Sequence, residues 1–94
     1  MAPSDPTLSR KVTIVNALGL HARSAAQIAK AAQAAQSSVW ISVADEAVDA
    51  TSIIDILTLA CGKGSQIIVA VDDPRDASVL EQIVRLVESG FGEQ

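Results

Sequence analysis

Apolar and polar positions alternate along Lys11-Val12-Thr13-Ile14-Val15, a β-branched run that predicts a first strand. The period then changes. Residues 22–35 hold no Pro or Gly and are dominated by Ala, Gln and Lys, strong helix formers. Ala22, Ala25, Ala26, Ala29 and Ala32 fall on one face of that helix, small enough to let it approach a sheet closely. Val39, Ile41 and Val43 alternate with Trp40 and Ser42 as a second strand, and Asp45-Glu46 offers a turn before a short third strand beginning at Val48 and Ala50. Ser52 followed three residues later by Asp55 fits a capping box, opening a short helix to about Ala60 that Gly62 and Gly64 end. The apolar run from Gln66 to Val71 is a fourth strand. Asp73 and Pro74 open a closing helix whose buried stripe is Val79, Leu80, Ile83, Val84 and Val87, with Gly90 as its stop. The order β-α-β-β-α-β-α, with short strands and few helices, predicts an α+β two-layer domain.

Composition narrows the picture. At 94 residues the chain is one small domain, expected over residues 11–94, with a polar and flexible tail over residues 1–10 carrying Pro3 and Pro6. Trp40 and Phe91 are the only aromatic residues, so the core must be built from Val, Ile, Leu and Ala. A net charge of −4 argues against nucleic acid as a partner. Cys61 is alone, which forbids an intrachain disulfide and points to a reducing compartment. No long apolar segment or signal peptide is present, so a cytoplasmic protein without membrane insertion is expected.

The only histidine lies in Gly19-Leu20-His21-Ala22-Arg23-Ser24, where strand gives way to helix. A helix start leaves N–H groups unpaired and carries partial positive charge. A phosphate on the His21 ring could accept hydrogen bonds from the N–H groups of Ala22 and Arg23, and the Arg23 guanidinium adds planar donors. A cation is disfavoured at such a position by about 0.3–1 kcal/mol. A neutral ring keeps a lone pair for attack on a phosphoryl donor. Gly19 lets the entering backbone turn sharply. Against this stands the plainer reading of an exposed turn histidine.

Other candidates have structural explanations. Gly62-Lys63-Gly64-Ser65 leaves a helix and enters a strand, whereas a phosphate-binding P-loop runs from strand to helix. Cys61 fits a packed thiol, and no metal-ligand pattern is present. Asp72, Asp73 and Asp76 are accounted for by capping of the last helix, and Trp40 faces away from Val39 and Ile41.

The GLHAR segment followed by an alanine-rich helix resembles HPr, the histidine-containing phosphocarrier family of the bacterial phosphotransferase system. Thr51-Ser52-Ile53-Ile54 resembles that family's regulatory-serine segment, and the likeness extends from Lys11 to Glu88. The resemblance implies an open-faced β-sandwich: a four-stranded antiparallel sheet with three helices on one side. It implies that His21 takes a phosphoryl group on Nδ1 from phospho-enzyme I, charged by phosphoenolpyruvate, and passes it to an enzyme II A-type protein. Arg23 matches the phosphate-stabilising arginine, with Ala22 and Ser24 beside the phosphate. Ile53, Ile54 and Leu57 form the apolar docking patch, and Ser52 corresponds to the serine that an HPr kinase/phosphorylase modifies in some members. No cofactor is implied, and a monomer that works only through partner enzymes is expected.

Two positions depart from the family. Ser24 stands where most members have proline, giving up a locked first turn but adding an N–H and a hydroxyl. Asp55 occupies a commonly basic place on the docking surface, which suits a carrier in a regulatory branch rather than bulk sugar uptake. The rival functions are a small regulatory or ligand-binding module in which His21 is incidental, and a scaffold that binds regulators without passing phosphate. Retention of His21 with Arg23 favours transfer.

Overall fold

The computed structural model describes residues 8–93. Strand β1 (Ser9–Thr13), helix α1 (Ala22–Ala32), the hairpin β2 (Val39–Val43) and β3 (Glu46–Asp49), helix α2 (Ile53–Thr58), β4 (Gln66–Val71) and helix α3 (Ala77–Glu88) follow in that order. The strands form one antiparallel sheet in the order β1-β4-β2-β3. This is the α+β arrangement expected from the sequence, with β4 inserted between β1 and the hairpin. Strand β1 begins at Ser9 rather than Lys11, so the domain takes in part of the expected tail. Residues 1–7 of that tail lie outside the described residues.

Pleating sorts the strand side chains. Val12, Ile67, Val69, Val71, Val39 and Ile41 are buried on the helix-covered face, where Ile28, Ile56, Leu80, Ile83 and Val87 meet them. Trp40 is half-buried on the other face, its indole Nε1–H donating to Asp72 Oδ1 at 3.0 Å. The five apolar positions expected to form the buried stripe of α3 are all buried. Helix α1 is rotated from expectation. It buries Ser24, Ala25, Ile28, Ala29, Ala31 and Ala32, while Ala22 is exposed and Ala26 half-exposed. Ile28 is the largest apolar group on this helix, and burying it turns the stripe. The helix also ends at Ala32, earlier than position 35.

Turn details depart from the sequence expectations in informative ways. The hairpin reverses at Ala44 and Asp45, one residue earlier than expected, because Val43 pairs with Glu46. Pro74–Asp76 forms a 3₁₀ turn before α3, and Asp73 caps that turn by accepting from Arg75 N–H at 2.8 Å. Asp76 does not cap by its side chain. It is 2% exposed, and its two carboxylate oxygens accept from the N–H groups of Gln36 at 2.8 Å and Ser37 at 2.9 Å. It therefore ties the segment leaving α1 to the start of α3. Asp76→Ala is expected to lower stability by about 2 kcal/mol, since hydrogen bonds to a charged group are worth more than neutral ones. A denaturation midpoint unchanged from the parent protein would contradict this.

Ala60 follows α2 with φ of 52°, a left-handed conformation at the position where glycine ends helices most readily. Ala60→Gly is accordingly expected to stabilise the protein by about 1 kcal/mol, read as a raised thermal midpoint.

Candidate functional site

The chain reaches the start of α1 through a tight turn. Gly19 donates to Asn16 O at 3.1 Å and has φ of 65°. Leu20 N–H then donates to Cys61 O at 2.9 Å, fixing this turn to the segment after α2. A side chain at Gly19 would collide with the Cys61 carbonyl oxygen and come within 2.7 Å of Gly62 Cα. Glycine is required here by close approach as well as by φ.

His21 is the N-cap of α1, in extended conformation with φ of −126°. Its side chain is 28% exposed. Ser24, three residues on, completes a capping box from its side, its Oγ accepting from His21 N–H at 3.0 Å. The same hydroxyl lies 3.1 Å from Gly19 O, to which it donates, and 3.2 Å from His21 O. Ser24 is completely buried. Its hydroxyl is thus engaged inside the turn, and what it leaves toward the helix start is its backbone N–H. Where proline would fix the first turn through its ring, serine does so here through hydrogen bonds. The Arg23 side chain is exposed and, among the described residues, makes no side-chain hydrogen bond or ion pair, although its charge reaches Glu93. Ala22 is exposed beside it.

One partner of His21 was missed by sequence reasoning. After α3, Gly90, Phe91 and Gly92 all have positive φ, of 67°, 59° and 73°. The buried Phe91 ring anchors this reversal. The hook delivers Glu93 to the histidine, with Oε2 2.6 Å from Nε2. The other carboxylate oxygen accepts from Asn16 Nδ2 at 2.9 Å, and the same amide also donates to Gly19 O at 2.9 Å. The hydrogen bonds from Asn16 and His21, with the nearby charge of Arg23, hold the Glu93 carboxyl below its usual range. Glu93 is therefore an ionised acceptor at neutral pH, and Nε2 is the ring nitrogen that carries the proton. The Gly-Phe-Gly-Glu run was the available signal, but nothing local ties it to His21.

Helix α2 presents its expected patch. Ile53, Ile54 and Leu57 are exposed, Ile54 at 74%, while Ile56 is buried beneath them. Val15 and Leu18, in the loop leading to His21, are exposed as well. Ser52 caps α2, its Oγ accepting from Asp55 N–H at 3.2 Å. Cys61 is buried, its thiol pushed up by burial, which makes it a poor nucleophile. Among the described residues no group of His, Cys, Asp and Glu could hold a metal ion, and no helix is long and apolar enough to cross a membrane.

Residues 8–89 match the family model described as PTS HPr component phosphorylation site. The chain is similar to phosphocarrier protein HPr of Cupriavidus necator, 37% identical over 86 residues that cover 92% of this chain and 97% of the relative. It is 36% identical to phosphocarrier protein HPr of Pseudomonas putida, with 90% and 96% covered. Among solved structures, HPr-C-His from Thermoanaerobacter tengcongensis superposes with a TM-score of 0.85 at 30% identity, covering 92% of this chain and 97% of that one.

Proposed function

The chain belongs to the PTS HPr family of phosphocarriers, and on that premise we propose that His21 accepts a phosphoryl group from phospho-enzyme I and donates it to an enzyme II A-type protein. One observation carries this reading: a part-exposed histidine at the N-cap of α1, next to an exposed arginine with no committed partner. A phosphoryl group on the ring would meet the N–H groups of Ala22, Arg23 and Ser24 and the Arg23 guanidinium, donors that suit its charge and geometry. The domain acts as a carrier rather than an enzyme, since it supplies the nucleophile and leaves the remaining catalytic groups to its partners.

Ile53, Ile54 and Leu57, with Val15 and Leu18, serve as the docking surface for both partners. A single exposed face that must be shown in turn to donor and acceptor favours a monomer acting in the cytoplasm. The acidic chain and Asp55 in the first turn of α2 suit a regulatory phosphotransferase branch. Ser52 is a helix cap first. Phosphorylation there by an HPr kinase/phosphorylase would place negative charge beside the docking patch and weaken docking on acidic partners.

Incubation with enzyme I and phosphoenolpyruvate is expected to give an acid-labile, alkali-stable protein phosphate. Absence of label with an active enzyme I from the same organism would overturn the phosphocarrier assignment, leaving a partner-binding module. Transfer onward to a panel of A-type proteins separates the branches, and acceptance by sugar-specific ones alone would refute the regulatory assignment.

A further inference from the structure

We infer that Asp55 is a specificity-determining residue: the partner surface that receives helix α2 offers an apolar hollow with a lysine or arginine against this carboxylate. The inference rests on the phosphocarrier reading and names the partner chemistry which that reading leaves open.

Three observations carry it. The first is that Asp55 is held in place with its charge unused. Its N–H donates to Ser52 Oγ at 3.2 Å and its carbonyl accepts from Thr58 Oγ1 at 2.6 Å, so the backbone is committed within the helix. The side chain is exposed and, among the described residues, its carboxylate makes no hydrogen bond or ion pair. Other carboxylates of the chain are engaged: Asp49 accepts from Thr51, Asp73 pairs with Arg75, and Glu81 pairs with Arg10.

The second observation is placement. By helical spacing Asp55 borders Ile54 on the side away from Ile53 and Leu57. Ile54 is 74% exposed, the most exposed large apolar side chain among the described residues. A protein that covers Ile54 therefore strips water from Asp55 as well. Removing a charge from water is unfavourable unless an opposite charge replaces the lost hydration. The third observation is the charge of the surrounding segment. Residues 31–62 hold Asp45, Glu46, Asp49 and Asp55 and neither Lys nor Arg, so they carry a charge equal to the net −4 of the chain. Helix α2 packs against β3, where Glu46 and Asp49 are also exposed. Nothing within this segment neutralises Asp55.

The face shown to partners is thus polarised. Arg23 supplies a cation at the point of transfer, and Asp55 supplies an anion on the apolar helix. A cation on the partner meets Asp55 as the hollow closes over Ile54, whereas a carboxylate there is repelled during encounter and after it. Asp55 acts on docking alone, since the reacting group stands at the start of another helix.

The test is steady-state phosphorylation by phospho-enzyme I from the same organism, with KM and kcat separated. Asp55→Lys is expected to raise KM about tenfold and Asp55→Asn about threefold, with kcat unchanged in both. Added salt should raise the KM of the parent protein more than that of Asp55→Asn, because screening weakens a pair the variant no longer makes. Asp45→Lys, the same charge change in the hairpin turn, should leave KM within about twofold of the parent. Asp55→Asn keeps the test decisive if Asp55→Lys loosens the first turn of α2, where a cation is unfavourable. A KM for Asp55→Asn equal to or below that of the parent, or an equal rise in Asp45→Lys, would overturn the inference while labelling of the parent upholds the carrier reading. A parent protein that takes no label would overturn both.

Discussion

His21→Ala is expected to abolish labelling from enzyme I and phosphoenolpyruvate while leaving the fold in place. The reason lies in what the side chain does and does not hold. The capping contribution at this helix start comes from the Ser24 hydroxyl and the His21 backbone N–H, which the substitution retains. The ring's hydrogen bond is to Glu93, at the end of the hook, so its loss releases a terminal contact rather than a core one. Stability should change by less than about 1 kcal/mol. Transfer depends on one lone pair, and no neighbouring side chain can supply another: Ser24 is buried with its hydroxyl engaged, and Cys61 is buried with its thiol pushed up. Label retained by a folded His21→Ala protein would place the phosphate elsewhere, Ser52 being the first position to examine.

Gly19→Ala should have the largest structural effect of any single-methyl change near the site. Two costs combine. A left-handed φ of 65° is unfavourable for alanine by about 1–2 kcal/mol. The added Cβ would also meet backbone atoms, the Cys61 carbonyl oxygen and Gly62 Cα, which cannot rotate aside. Relief requires the segment after α2 to move away from the turn, breaking the hydrogen bond from Leu20 N–H to Cys61 O. A loss of about 2–4 kcal/mol is expected, as a lower denaturant midpoint with little change in slope, together with reduced labelling. Gly62→Ala is the matched control. A Cβ there meets nothing within 4 Å, so its stability should stay within about 0.5 kcal/mol of the parent. If the two variants behave alike, the close approach is not what fixes the turn.

Much of the site was legible because it is local. His21, Arg23 and Ser24 sit within one turn, and an N-cap position can be read from where strand composition stops and helix composition starts. Ser52 as a cap follows from the same local rules, whereas the exposed Ile53, Ile54 and Leu57 were expected only from the family resemblance. The face of α1 was misjudged because spacing alone does not weigh Ile28 against a row of alanines. Asp76 was misassigned because a carboxylate near a helix start suggests capping, whereas its two partners lie in the segment following α1.

The chain by itself determined the order of elements, the strands, the α3 stripe and the placement of a histidine at a helix start. Each depends on periodicity or on contacts within a few residues. Only the tertiary structure decided that Glu93 meets His21, that Asn16 holds Glu93, and that Gly19 lies against Cys61. Those contacts join segments held together by the closed sheet and by α3 packed across it. Their geometry is set by the whole fold, and no local pattern of residues encodes it.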